Sequence, residues 1–149
     1  MICGIDYGRT GAIALYYSDS DYLDIHDMPH IDKRVNGAAL AALFEEFRPD
    51  HVMAEQINSF NMGRQSALNF GRGIGVIDGV LAALKIPRTE VQPVKWKRHF
   101  HLNKDKGAAR AAATRLFPTY AEHFTRVMDH NRAEAALLAL YLHQTGDRT

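Results

Sequence analysis

The chain has a single cysteine, Cys3, which therefore has no intrachain partner. A disulfide framework is excluded, and nothing asks for an oxidising compartment. Cys/His pairs at zinc-ligand spacing are missing too, which leaves hard oxygen donors as the metal chemistry open to the chain. No apolar stretch approaches the roughly 18 residues that a membrane span needs, and no charged-then-apolar leader opens the sequence. The expectation is a soluble, cytoplasmic protein with no membrane partner. Repeats, low-complexity tracts and linkers are lacking as well, so the 149 residues, 46% of them hydrophobic, are expected to form a single domain, 1–149. A chain of that size buries roughly two thirds of its unfolded surface without staples.

What is present is unevenly placed charge. The net charge is only +1, yet residues 1–50 hold nine Asp/Glu against four Lys/Arg. From Lys85 to Arg115 the balance reverses, with nine Lys/Arg (half of the chain's 18) against Glu90 and Asp105. Such a run is either a set of solvated helix faces or a phosphate-binding surface.

Periodicity gives the element order. Met1–Leu15 reads as a strand, a turn bracketed by Gly8 and Gly11, and a second strand from Ala12 through Tyr17. Residues 22–26 alternate as a third, half-buried strand. Asn36 is a good N-cap for a helix from Gly37 to Phe47, which Pro49 ends; a short strand, His51–Gln56, follows. Gln65–Leu84 reads as helical despite four glycines, with Gly71, Gly75 and Gly79 on one face. That face packs either on its own sheet or against another chain. Ile86–Gln92 reads as a strand, Pro93–Phe100 as a short helix, Lys104–Phe117 as an alanine-rich helix stopped by Pro118, and about His130–Gln144 as the last helix. A β-meander followed by βαβ units gives an α/β fold of ribonuclease H-like architecture, a mixed β-sheet flanked by helices.

Three acids sit at apolar boundaries of this scheme. Asp6 interrupts the run GIDYGRTGAIAL, Glu55 stands at the end of the apolar strand HVMAEQ, and Glu134 shares a helical stripe with Leu137, Leu138 and Tyr141. A buried carboxylate needs a partner or a metal, and a cluster of three suits Mg²⁺ or Mn²⁺. His130, four residues before Glu134, lies about 40° from it around a helix, and Asn131 about 60° away on the other side. Asp129 would point about 140° away if helical and reaches the site only as a non-helical cap. His130 ranks above Asp129 as the further ligand or proton-transfer group.

The segments GIDYGRTGAIAL, MAEQ, VQPVKWKRHFHLNKDKGAARAAATRLFP and DHNRAEAALLALY, in that order, resemble the RuvC-type Holliday junction resolvases, especially their short phage-like branch. The first segment is the least specific, since Asp-x-Gly turns also open actin-like ATPases and YqgF-type nucleases; an ATPase of that kind needs two such domains. The resemblance implies a crossover junction endonuclease that hydrolyses phosphodiesters with two metal ions, acting as a homodimer on branched DNA, four-way junctions above all. It places Asp6, Glu55 and Glu134 as metal ligands and leaves the fourth position among Asp129, His130 and Asn131. Lys97, Arg98, Lys104, Lys106 and Arg110 would hold phosphates. Phe60 and Arg64, in the loop after Glu55, would meet the crossover, although Phe60 can equally pack locally, and Trp96 reads as core rather than as a base-stacking platform. The competing readings are a ribonuclease H-like nuclease with another branched or hybrid substrate and a non-catalytic junction-binding module.

Overall fold

The computed structural model describes residues 1–57, 62–105 and 107–148. Strands β1 (Ile2–Asp6), β2 (Ala12–Tyr17) and β3 (Tyr22–Asp27) form the expected antiparallel meander. Helix α1 (Gly37–Phe47) then leads to β6 (His51–Glu55), which pairs parallel with β1, and α2 (Arg64–Ala83) leads to β7 (Arg88–Val91), parallel with β6. The order is β3-β2-β1-β6-β7. A two-stranded hairpin of β4 (His30–Ile31) and β5 (Arg34–Val35), which the sequence pattern does not reveal, precedes α1. Helices α3 (Pro93–His99), α4 (Ala108–Leu116) and α5 (His130–Thr145) complete the chain.

Local chemistry sets the boundaries. Asn36 caps α1, its side-chain oxygen accepting from the Ala39 amide at 3.2 Å. The β1–β2 turn needs Gly8, whose φ is +105°, and closes through a hydrogen bond from the Gly11 amide to the Gly8 carbonyl. Helix α4 starts at Ala108, later than the alanine pattern alone suggests, because the side chains of Asn103 and Asp105 accept from the backbone amides of Asp105 and Gly107. Such local bonds offer the backbone an alternative to the helix. Lys104 therefore lies in the turn before α4.

Strand alternation sorts the core onto the two sheet faces. Cys3, Ile5, Val52 and Ala54 pack toward α1 and α2, with Leu40, Phe44, Ile77 and Leu81. Ile2 and Met53 pack on the opposite face, with Trp96 and α5. Gly4 and Asp6 share that face with Ile2, and Glu55 shares it with Met53. Helix α5 is buried from Ala135 to Leu142 without interruption, as a helix enclosed on all sides must be. It lies directly on β1: a Cβ at Gly4 would run into the Ala135 carbonyl oxygen and the Ala139 amide nitrogen. Among the described residues no helix is long and apolar enough to cross a membrane.

Candidate active site

Asp6 and Glu55 end neighbouring parallel strands and project to the same sheet face, the one covered by α5. The backbone contact of Gly4 with Ala135 brings Glu134, one residue earlier in α5, to the end of β1 where Asp6 stands. The three acids feel one another. Burial pushes the Asp6 carboxyl well above its ordinary value, the charges of Glu134 and Glu55 push it further, and Lys97 partly offsets this. Glu134 is raised as well, by burial first; Lys97 and His130 oppose the shift and Glu55 adds to it.

Two neighbours on α3 hold this cluster. The Trp96 indole N–H donates to Glu55 Oε2 at 2.7 Å, and Trp96 is otherwise fully buried, in agreement with its expected core position. Lys97 Nζ lies 3.3 Å from Glu55 Oε2 and 4.0 Å from Glu134 Oε1. Neither contact follows from sequence spacing, because it depends on how α3 docks beside β6. The single available hint was a lone tryptophan adjoining a lysine in PVKWK. Lys97 thus neutralises the acids as well as standing beside the surface expected to meet phosphate.

A cleft of about 550 Å³ opens over the cluster, lined by Asp6, Tyr7, Thr10, Arg110, His130, Asn131 and Glu134 among others. His130 Nδ1 shares a hydrogen with the Val127 carbonyl at 3.1 Å, which leaves Nε2 for other partners. Asn131 donates to the Thr10 carbonyl, tying α5 to the β1–β2 turn. Asp129 precedes α5 with non-helical torsions, as anticipated, yet its carboxylate is turned to another task. It is 2% exposed, accepts from the Arg126 guanidinium at 2.8 and 3.0 Å and from the Arg126 amide at 2.8 Å. Burial alone would raise its pKa, but these bonds hold it below the ordinary carboxylate range. It lines a separate hollow with Arg126 and Arg132 and is absent from the lining of the Asp6 cleft. Arg132, two residues before Glu134 and on the opposite side of α5, pairs with Asp27 at 2.6 Å.

The basic residues divide similarly. Arg110 lines the Asp6 cleft; its Nη1 donates to the Thr125 carbonyl at 3.0 Å, and its buried Nε has no partner among the described residues. Lys97, Arg98 and Lys104 line an adjoining groove of about 830 Å³ that also reaches Glu134. Arg64 is the exposed first residue of α2. Phe60 and Lys106 lie outside the described residues.

As regards metal, the acid donors are all oxygen and their like charges are poised to gain from a divalent cation, so the site fits one in chemistry. Among the described residues, no three His, Cys, Asp or Glu side chains are grouped as tightly as one ion's shell. Glu55 and Glu134 instead flank the Lys97 ammonium, whose charge also reaches Asp6.

The mixed sheet with its carboxylates at the ends of two central strands is a ribonuclease H-like fold. No protein-family description matches the sequence, and no curated protein matches it. Among solved structures, Thermus thermophilus RuvC in complex with a Holliday junction substrate is similar over 97% of this chain and 96% of its own, with a TM-score of 0.68 at 15% identity. A second T. thermophilus RuvC structure has a TM-score of 0.66, with the same identity and coverage. The yeast mitochondrial Holliday junction resolvase Ydc2 gives 0.58 at 15% identity, over 93% of this chain and 75% of that one. At such identity the likeness shows the fold.

Proposed function

We propose that the chain is a divalent-metal-dependent endonuclease that resolves four-way DNA junctions. The observation that carries this reading is the convergence of Asp6, Glu55 and Glu134 beside a cleft and a groove lined by Arg110, Lys97, Arg98 and Lys104. It gains support from the structural neighbours, one of which holds a Holliday junction. Asp6, Glu55 and Glu134 would hold Mg²⁺ or Mn²⁺, with His130 the remaining cleft residue suited to complete the set. When bound, such ions supply stabilisation of the phosphorane and of the leaving oxygen. Trp96 fixes one oxygen of Glu55. Arg110 and Lys97 bring the backbone phosphate over the acids, and His130 can give or take a proton at a water or leaving oxygen.

Junction resolution requires cuts on two opposing strands, which a two-fold homodimer answers with one cleft per subunit. A Cβ at Gly71, Gly75 or Gly79 would meet no atom within 4 Å, so the glycine face of α2 is not packed on its own sheet. Exposed Leu68 and Val76 adjoin it. That supports α2 as the dimer contact.

The test is Asp6→Asn. Cleavage of a labelled junction in Mg²⁺ should be abolished while binding in Ca²⁺ persists; retained nicking would overturn the role of Asp6. Forks, flaps and RNA/DNA hybrids run beside the junction separate it from other substrates. A second readout needs no activity. Because the folded pKa of Asp6 lies above its unfolded value, the native chain binds the extra proton between the two. Metal-free stability should therefore fall as pH rises through that window. Asp6→Asn should flatten this slope and, at pH 7 without metal, stabilise the fold by on the order of 1 kcal/mol, about 2–4 °C in Tm. Mg²⁺ should raise the Tm of the wild type and leave the variant unmoved.

A further inference from the structure

Residues 1–50 carry only four basic side chains, and three of them, Arg9, Lys33 and Arg34, meet in one hollow. Arg72 of α2 joins them, giving four cations against one lining carboxylate, Asp32. The hollow, of about 590 Å³, lies between the β4–β5 hairpin, the β1–β2 turn and α2. Its floor is apolar, with Phe70 packed under Gly8. The hairpin tip that presents Lys33 runs through left-handed torsions, φ +46° at Asp32 and +62° at Lys33. Some cations elsewhere are paired, Arg88 with Glu90, Arg126 with Asp129, Arg132 with Asp27 and Lys95 with Asp147, whereas Arg98 and Lys104 of the adjoining groove have no ion pair among the described residues. None of the four in the hollow has an ion pair or side-chain hydrogen bond among the described residues.

We propose that this hollow seats the sugar-phosphate backbone of the DNA arm that leaves the acidic cleft, an inference that rests on the nuclease reading. The β1–β2 turn is the shared wall. Tyr7 and Thr10 line the cleft, whereas Gly8 and Arg9 line the hollow. A strand whose phosphate lies over Asp6 thus passes between two basic surfaces, the groove of Lys97, Arg98 and Lys104 and the hollow across the turn. Unpaired guanidinium and ammonium groups above an apolar floor match phosphates and sugar edges, and such contacts fix register without reading sequence. The charge run from Lys85 to Arg115 gives no hint of this second surface, because its members come from three separated segments.

The experiment uses the hairpin pair, Lys33→Ala with Arg34→Ala, which lies outside the lining of the Asp6 cleft and shares its hollow with Gly75 and Val76 of α2. A synthetic four-way junction is titrated in Ca²⁺ at several salt concentrations, with cleavage in Mg²⁺ and sedimentation measured on the same preparations. Two lost phosphate contacts should lower the log-log salt slope by about 1.8 and weaken junction binding on the order of tenfold. Turnover at saturating junction should stay within about twofold, and phosphate-ethylation interference should vanish on one side of the cut alone. Unchanged slope and affinity overturn the proposal. So does a variant that dissociates to monomers with its slope intact, which would assign the hollow to a chain–chain contact. If the wild type cuts no branched DNA yet the pair still lowers its slope, the nuclease reading fails and the DNA seat stands.

Discussion

The two faces of the central sheet are built on opposite plans. On one, α5 lies so close to β1 that Gly4 has no room for a Cβ, and alanines at 133, 135, 136 and 139 keep the helix pressed to its neighbours. On the other, α2 buries only Ile77 and Leu81 and leaves three glycines facing open space. The first face holds Asp6, Glu55 and Glu134; the second holds the open glycine face and, at its edge, the unpaired cations. Repelling carboxylates need a rigid mount, because a small displacement changes how their charges add. A surface meant for a partner needs accessible backbone and unpaired charge.

The comparison breaks most sharply at Gly4. Gly4→Val should destabilise the protein by about 3 kcal/mol or more, since the added atoms meet helix backbone that cannot yield. A fall of about 10 °C in Tm is expected by calorimetry. A loss of under about 1 kcal/mol would mean that α5 is not pressed on β1 as described.

Next in size is Trp96→Phe, which keeps most of the packing and removes the donor to Glu55. Groups that orient metal ligands typically cost 10–100-fold when lost. If Glu55 holds Mg²⁺ as proposed, the Mg²⁺ concentration for half-maximal cleavage should rise about tenfold, while the maximal rate changes within a few fold and excess Mg²⁺ restores activity. An unmoved Mg²⁺ midpoint with a lowered Tm would leave Trp96 a packing residue alone.

The difference between the faces also explains what the sequence discloses. Asp6, Glu55 and Glu134 were legible because strand alternation and helical spacing are local, and each acid sits at the edge of an apolar run. The Asn36 cap and the meander were legible for the same reason. Asp129 was harder: helical geometry ranks it below His130 without giving it another task, and only the fold shows Arg126 enclosing its carboxylate. The Trp96–Glu55 bond spans 41 residues, and the hollow draws cations from residues 9, 33, 34 and 72. No periodicity carries such information, since it arises from docking of elements rather than from their formation. The glycines of α2 are an intermediate case. Their spacing told which face they share, but whether that face is covered or open depends on the tertiary structure.

The smallest effect tests that open face. Gly75→Leu replaces a poor helix former with a good one at a position where a Cβ meets no atom within 4 Å. In the isolated chain this should stabilise α2 by about 0.8 kcal/mol, the opposite sign to Gly4→Val although both replace glycine with a branched aliphatic. If α2 meets its counterpart in a second copy, the same leucine blocks the close approach and the dimer should weaken. The two quantities are read separately, Tm at low protein concentration and the monomer–dimer constant by sedimentation. A raised Tm with an unchanged constant removes α2 from the interface, whereas a lowered Tm at every concentration shows that the face is not open. Opposite signs in the two measurements are what a glycine face kept bare for another backbone requires.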